Sequence, residues 1–228
     1  MPAACHANTT ALLGNAIGEG MNFSENLAYW YLRLNGFFPL RDFVLHRDGE
    51  TIHDSADCDL LAIWFPYVYE QIGGQENDWD SARFGEWGLR LEQQTIGLIV
   101  EVKTGRDKPR LRENIKRSFT SERLLVAVRR LGFWSSVDAN DVARKLSTVA
   151  LYRDPIQPLA VAKLLITDYA LGNDSIPPCL QLALTDIEEF LFVRADKYDW
   201  IKHADQLRFP DELIQYIFWN RWKRRSRP

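Results

Sequence analysis

The sequence predicts an α/β fold, and three features carry that prediction. Thr95-Ile96-Gly97-Leu98-Ile99-Val100-Glu101-Val102-Lys103 is an apolar, β-branched run of the kind that forms a buried strand. A helical stripe and an aromatic hairpin precede it. Amphipathic helices and a second apolar run, Leu159 to Ile166, follow it.

In chain order, residues 1–22 are small, polar and without periodicity, and read as a loose leader. A helix follows, with Ser24 suited to its N-cap and Gly36 to its C′ position. Leu27, Trp30, Tyr31 and Leu34 form one apolar stripe; Ala28, Tyr29 and Leu32 form another, with Glu25 beside it. A first-turn glutamate favours the helix dipole, and that alone accounts for Glu25.

Phe37 to His46 and Ala56 to Trp64 read as a hairpin whose turn carries Asp48-Gly49. The returning strand opens with Asp57-Cys58-Asp59, an acidic start to an apolar run. Tyr67 to Gln94 is too long for a plain connection, and is expected to be an insertion or lid anchored by Trp79 and Trp87.

The strand at 95–103 divides by alternation into an apolar face and a face holding Gly97, Ile99, Glu101 and Lys103. Two opposite charges where a buried strand ends must be paired, bound to metal or open to a cleft, because an isolated buried charge is very costly. After them come a basic turn with Arg106, Lys108 and Arg110, then a helix expected over Leu111 to Leu131 and closed by Gly132, with Arg112, Lys116 and Arg117 near its start.

In the second half a helix is expected near Asp138 to Ala150, a short strand at Leu180 to Leu184, and a helix after Thr185-Asp186. A last helix starts at Pro210-Asp211-Glu212 and ends in a tail with Arg221, Lys223, Arg224 and Arg225, where Trp222 offers a stacking surface. No repeat or linker is evident. The expected organisation is one domain over 23–228, with a core to about 170 and a helical C-terminal elaboration beyond it.

Composition narrows the function. With 46% hydrophobic residues, 8 Trp, 12 Phe and 8 Tyr, the chain is that of a packed globular protein. A net charge of -3 means that nucleic-acid binding must rest on local basic patches. Cys5, Cys58 and Cys179 are odd in number and lack zinc-ligand spacing, which fits a reducing compartment. With no apolar run of membrane-spanning length and no signal-peptide pattern, the expected location is cytoplasmic.

The order of these pieces resembles the PD-(D/E)XK nuclease superfamily, which includes restriction endonucleases and archaeal Holliday junction resolvases. The resemblance covers roughly Phe23 to Leu131. Asp59-Leu60-Leu61-Ala62 matches the acid that precedes an apolar strand, Glu101-Val102-Lys103 matches the (D/E)-x-K element, and Glu25 ahead of Gly36-Phe37-Phe38 is similar to the first-helix glutamate of resolvase-like members. Cys58 stands where the motif has proline, and Asp57 competes with Asp59 for the acidic position.

The resemblance implies a restriction endonuclease-like core of helix, mixed central sheet and helix. It also implies a Mg²⁺- or Mn²⁺-dependent endonuclease acting on nucleic acid, most simply DNA. Asp59 and Glu101 would hold the metal with help from Glu25, and Lys103 would position the nucleophile. Phosphate contacts are expected from Arg106, Lys108, Arg110, Arg112, Lys116, Arg221, Lys223, Arg224 and Arg225. Two-strand cleavage needs two sites, which makes a homodimer or protein complex a plausible assembly.

Two other readings stand beside it. Asp57-Cys58-Asp59 is also the D-x-D of metal-dependent glycosyltransferases, although only a short helix and hairpin precede it. The nuclease fold can equally serve as a catalytically silent subunit or nucleic-acid-binding module.

Overall fold

The computed structural model describes residues 22–45, 56–69, 76–105, 107–169, 171, 176–204 and 211–225. The helix α1 (Phe23–Leu34) leads into β1 (Phe38–Leu45) and β2 (Ala56–Trp64). A 3-10 turn (Glu76–Asp78) and α2 (Ser81–Glu86) precede β3 (Thr95–Lys103). Then come α3 (Lys108–Ser118), α4 (Ser121–Leu131), α5 (Ser136–Thr148), β4 (Leu151–Arg153), β5 (Leu159–Thr167), β6 (Leu180–Ala183), α6 (Leu184–Ala204) and α7 (Glu212–Arg225).

The strands form one open mixed sheet in the order β1-β2-β3-β5-β4, with β6 also on β5. β2 runs antiparallel to both of its neighbours, β1 and β3, whereas β3 and β5 run parallel from Thr95↔Leu159 to Lys103↔Thr167. A parallel pair needs a long crossover. Here α3, α4 and α5 supply it, which puts these helices on one face of the sheet.

Each face buries its own core. Ile96, Leu98, Val100 and Val102 of β3 pack with α1, α6 and α7 through Leu27, Tyr31, Ile187 and Ile214. Ile99 packs on the opposite side with Leu111 and Ile115 of α3, Leu124 and Val128 of α4, and Val142 and Leu146 of α5. The predicted alternation along β3 is therefore the division between the two layers. Gly97 lies on the second face, where an added Cβ would stand 2.6 Å from Leu131 Cδ1, so its missing side chain lets the end of α4 approach the sheet.

Several predicted elements change in detail. Asn22, not Ser24, caps α1: its side chain accepts from the Glu25 amide at 3.0 Å while the Glu25 carboxylate accepts from the Asn22 side-chain amide. This reciprocal arrangement leaves Ser24 inside the first turn. At the other end Gly36 takes φ +83 as expected, and a Cβ there would meet the Trp64 ring at 2.7 Å.

The hairpin pairs Leu45 with Ala56, and the residues between them, including Asp48-Gly49, lie outside the described residues. So does the leader except for Asn22. The single helix expected over 111–131 is two: α3 starts earlier, at Lys108 behind an Asp107 N-cap, and stops at Ser118, and α4 starts after Thr120. Gly132 closes α4 in the left-handed region, as predicted.

Candidate metal and phosphate site

The antiparallel register of β2 and β3 pairs Leu60 with Val100, so the next residue on each side brings Asp59 beside Glu101. Lys103 lies two residues further along the same face of β3. Its Nζ stands 2.8 Å from Asp59 Oδ2 and 2.6 Å from Glu101 Oε2. The three polar residues predicted from separate strand ends thus meet around one ammonium.

Asp59 is fastened to the backbone as well, since its Oδ2 accepts from the Val102 amide at 2.6 Å. Among the described residues its Oδ1 takes no hydrogen bond or ion pair. Cys58 departs from strict alternation and packs with Leu61 and Ile99 in the second core. Of Asp57, which competes with Asp59 in the sequence, the structure describes the backbone, paired with Val44.

The break between α3 and α4 supplies two further partners. Ser118, the last residue of α3, donates to Glu101 Oε2 at 2.9 Å, and Arg123, in the first turn of α4, donates to Oε1 at 3.3 Å. A continuous helix would carry these residues at different angles to the sheet. Sequence reasoning missed both. The available signal was Thr120-Ser121-Glu122, an N-cap residue followed by an acid in the first turn, in the middle of the expected helix.

The site is graded in exposure. Glu101 is 1% exposed, Asp59 14% and Lys103 22%, so the approach from solvent is on the Asp59–Lys103 side. Burial pushes the Glu101 carboxyl above the ordinary range even though Lys103 and Arg123 pull the other way. Burial pulls on the Lys103 amine too, but Glu101 and Asp59 outweigh it and hold the amine above its usual value. The Cys58 thiol is raised, first by burial and then by the Glu101 and Asp59 charges, and is a poor nucleophile here.

Glu25 belongs to the other layer. α1 packs on the opposite face of the sheet, and the Glu25 carboxylate takes part in capping that helix. Among the described residues no group of three His, Cys, Asp or Glu side chains is arranged to hold a metal ion, and the Glu25 carboxylate is engaged with Asn22 at the start of α1. Two carboxylates converging on one cation nevertheless fit Mg²⁺ or Mn²⁺, hard ions that accept one or two carboxylates and complete their shell with water or phosphate oxygen.

The expected phosphate contacts fall into two groups. Lys108, Arg110, Arg112 and Lys116 are exposed on α3, the helix that follows β3 directly from the site. Arg106 lies outside the described residues. α7, with Arg221, Lys223, Arg224 and Arg225, packs in the first layer through Ile214 and Ile217, so the sheet separates it from α3. Arg221 is already paired with Asp196, its Nε 2.8 Å from Oδ1, while Lys223 and Arg224 are exposed.

The segment expected to be an insertion or lid is anchored by its tryptophans. Trp79 stacks edge-on against Trp64 at 4.7 Å, and Trp87 contacts Phe84 at 5.8 Å. A cleft of about 790 Å³ lies there, lined by Trp64, Tyr67, Tyr69, Trp79, Arg90 and Glu92 among others. Trp64 pairs with Ile96, at the opposite end of β2 and β3 from Asp59 and Lys103. The described part of this segment thus lies at the far end of the sheet, away from the acids. No helix among the described residues is long and apolar enough to cross a membrane. Comparison of the chain with protein-family models, curated proteins and solved structures finds no significant match.

Proposed function

We propose that the protein is a metal-dependent endonuclease with a restriction endonuclease-like core, acting on nucleic acid and most simply on DNA. One observation carries this reading: the Lys103 ammonium lies within hydrogen-bond distance of both Asp59 and Glu101 just past the last β2–β3 pair, Leu60↔Val100, next to a helix with exposed basic residues. Asp59 and Glu101 would hold a divalent cation, which when bound polarises a phosphodiester and acidifies a water.

The chain's own groups do the rest. The Val102 amide fixes Asp59, and Ser118 and Arg123 fix Glu101, so both carboxylates are held in place before anything binds. Lys103, the most exposed of the three, supplies positive charge at the solvent side, where a phosphate would lie. Lys108, Arg110, Arg112 and Lys116 would hold the flanking backbone by charge without reading sequence.

The test is incubation of labelled DNA and RNA, both duplex and branched, with Mg²⁺ or Mn²⁺. Cleavage is expected in the parent and is expected to fall at least about a hundredfold in Asp59→Asn and Lys103→Ala. Equal cleavage by the folded variants would refute the assignment.

One feature favours the catalytically silent reading. Both carboxylates are already neutralised, by Lys103 and Arg123, and Glu101 is almost fully covered. On that reading no substrate in the panel is cut and nucleic-acid binding is the whole activity.

A further inference from the structure

We propose that Lys103 is a latch: its ammonium fills the place between Asp59 and Glu101 that a divalent cation takes, and it leaves that place when the cation enters, while Ser118 and Arg123 stay on Glu101. The inference rests on the metal-site reading above and adds how that site is regulated.

The contacts separate the two cations of the cluster. Lys103 Nζ bridges the carboxylates at 2.8 and 2.6 Å, whereas Arg123 reaches Glu101 through the other oxygen, Oε1, at 3.3 Å. Only the bridging group stands where both ligands point. Two carboxylates facing one lysine and one arginine form a neutral set. A divalent ion added with both cations in place would put like charges side by side in a part-buried site, which is strongly unfavourable.

Lys103 is also the member with somewhere to go. It is the last residue of β3, its side chain is 22% exposed, and Thr104 and Gly105 after it are exposed, with Gly105 at φ +140. Ser118 and Arg123 are built into helix ends packed on the second core, Ser118 at 3% exposure. An amine released toward solvent stays close enough to meet a phosphate, which lets one side chain guard the empty site and serve the loaded one.

Mn²⁺ alone, titrated into the full chain by calorimetry and by loss of the free-ion paramagnetic resonance signal, tests this without reference to cleavage. Lys103→Met is expected to bind Mn²⁺ at least about tenfold more tightly than the parent, and Lys103→Gln is a second variant in case the first does not fold. Arg123→Met removes one positive charge from the same cluster without emptying the bridging position, and is expected to gain clearly less. Mn²⁺ binding that is no tighter in the Lys103 variants, or an equal gain in Arg123→Met, overturns the latch and leaves the metal-site reading standing. If neither the parent nor a folded Lys103 variant binds Mn²⁺, both fall.

Discussion

Ser118 donates its hydroxyl to Glu101 Oε2 at 2.9 Å, and both residues are buried. The hydroxyl has one proton, and the carboxylate is nearer than the alternative acceptor, the Asn114 carbonyl at 3.2 Å. A hydrogen bond to a buried ionised group is worth about 1.5–3 kcal/mol. Ser118→Ala is therefore expected to lower stability by about that amount in urea unfolding. A loss of only about 0.5–1 kcal/mol, that of a neutral hydrogen bond, would mean that the proton goes to the Asn114 carbonyl.

Glu101 makes a different prediction, because burial outweighs its two cations and leaves its carboxyl raised. A carboxyl raised in the folded state binds more protons than in the unfolded chain between the two pKa values. Stability from this group is thus lost as pH rises through that window, and the loss persists at neutral pH. Relative to the parent, Glu101→Gln is expected to become more stable between pH 4.5 and pH 7, although it loses cleavage. Urea unfolding at both values checks the trend. A relative stability that falls with pH would mean that the ion pairs dominate. The expected outcome, a charge kept at a cost to stability, is what a functional carboxylate shows.

How much of this was legible in the sequence depends on which contacts were local. β3 was readable because alternation along one strand determines both of its faces, and Asp59 and Glu101 stand beside apolar runs that a simple antiparallel neighbour brings together. α1 was readable from its stripes, and its cap was misassigned by two residues because Asn22 and Ser24 are both good N-caps. The α3–α4 break was not read. Leu111, Ile115, Leu124 and Val128 all bury against one core, so the apolar pattern passes through the break, where Phe119, the C-cap of α3, is itself buried. Arg123 and Ser118 were hidden for the same reason. The three-residue β4 is recognisable only by its pairing with β5.

The basic side chains of α3 have a measurable signature. Lys108, Arg110, Arg112 and Lys116 are all exposed, and each phosphate contact to duplex DNA releases about 0.9 of a counterion, which sets the slope of log affinity against log salt. Replacing Arg112 and Lys116 by Ala is expected to weaken duplex binding and flatten that slope by about 1–2. Truncation after Asn220 is expected to have less effect, since Arg221 is committed to Asp196 and α7 lies across the sheet from α3. Fluorescence anisotropy over a salt series reads both, and an unchanged slope in the α3 variant would remove that helix from the interface.

Lys163 supplies the last prediction. It sits on β5 opposite Ile99 with no exposed surface, its Nζ 3.4 Å from the Ser147 carbonyl and 5.7 Å from the Phe119 ring centre. Burial lowers its amine to about 8, with a small opposing pull from Cys179. Between pH 8 and the unfolded value near 10.5 the folded chain holds fewer protons than the unfolded one, so this group adds stability as pH rises and detracts most below pH 8. Lys163→Met keeps the volume and removes the charge. It is expected to raise stability at pH 7 by on the order of 2–3 kcal/mol, with a smaller gain at pH 10. Thermal melts at the two pH values check this, and a gain independent of pH would mean that the Lys163 amine keeps its ordinary value in the fold.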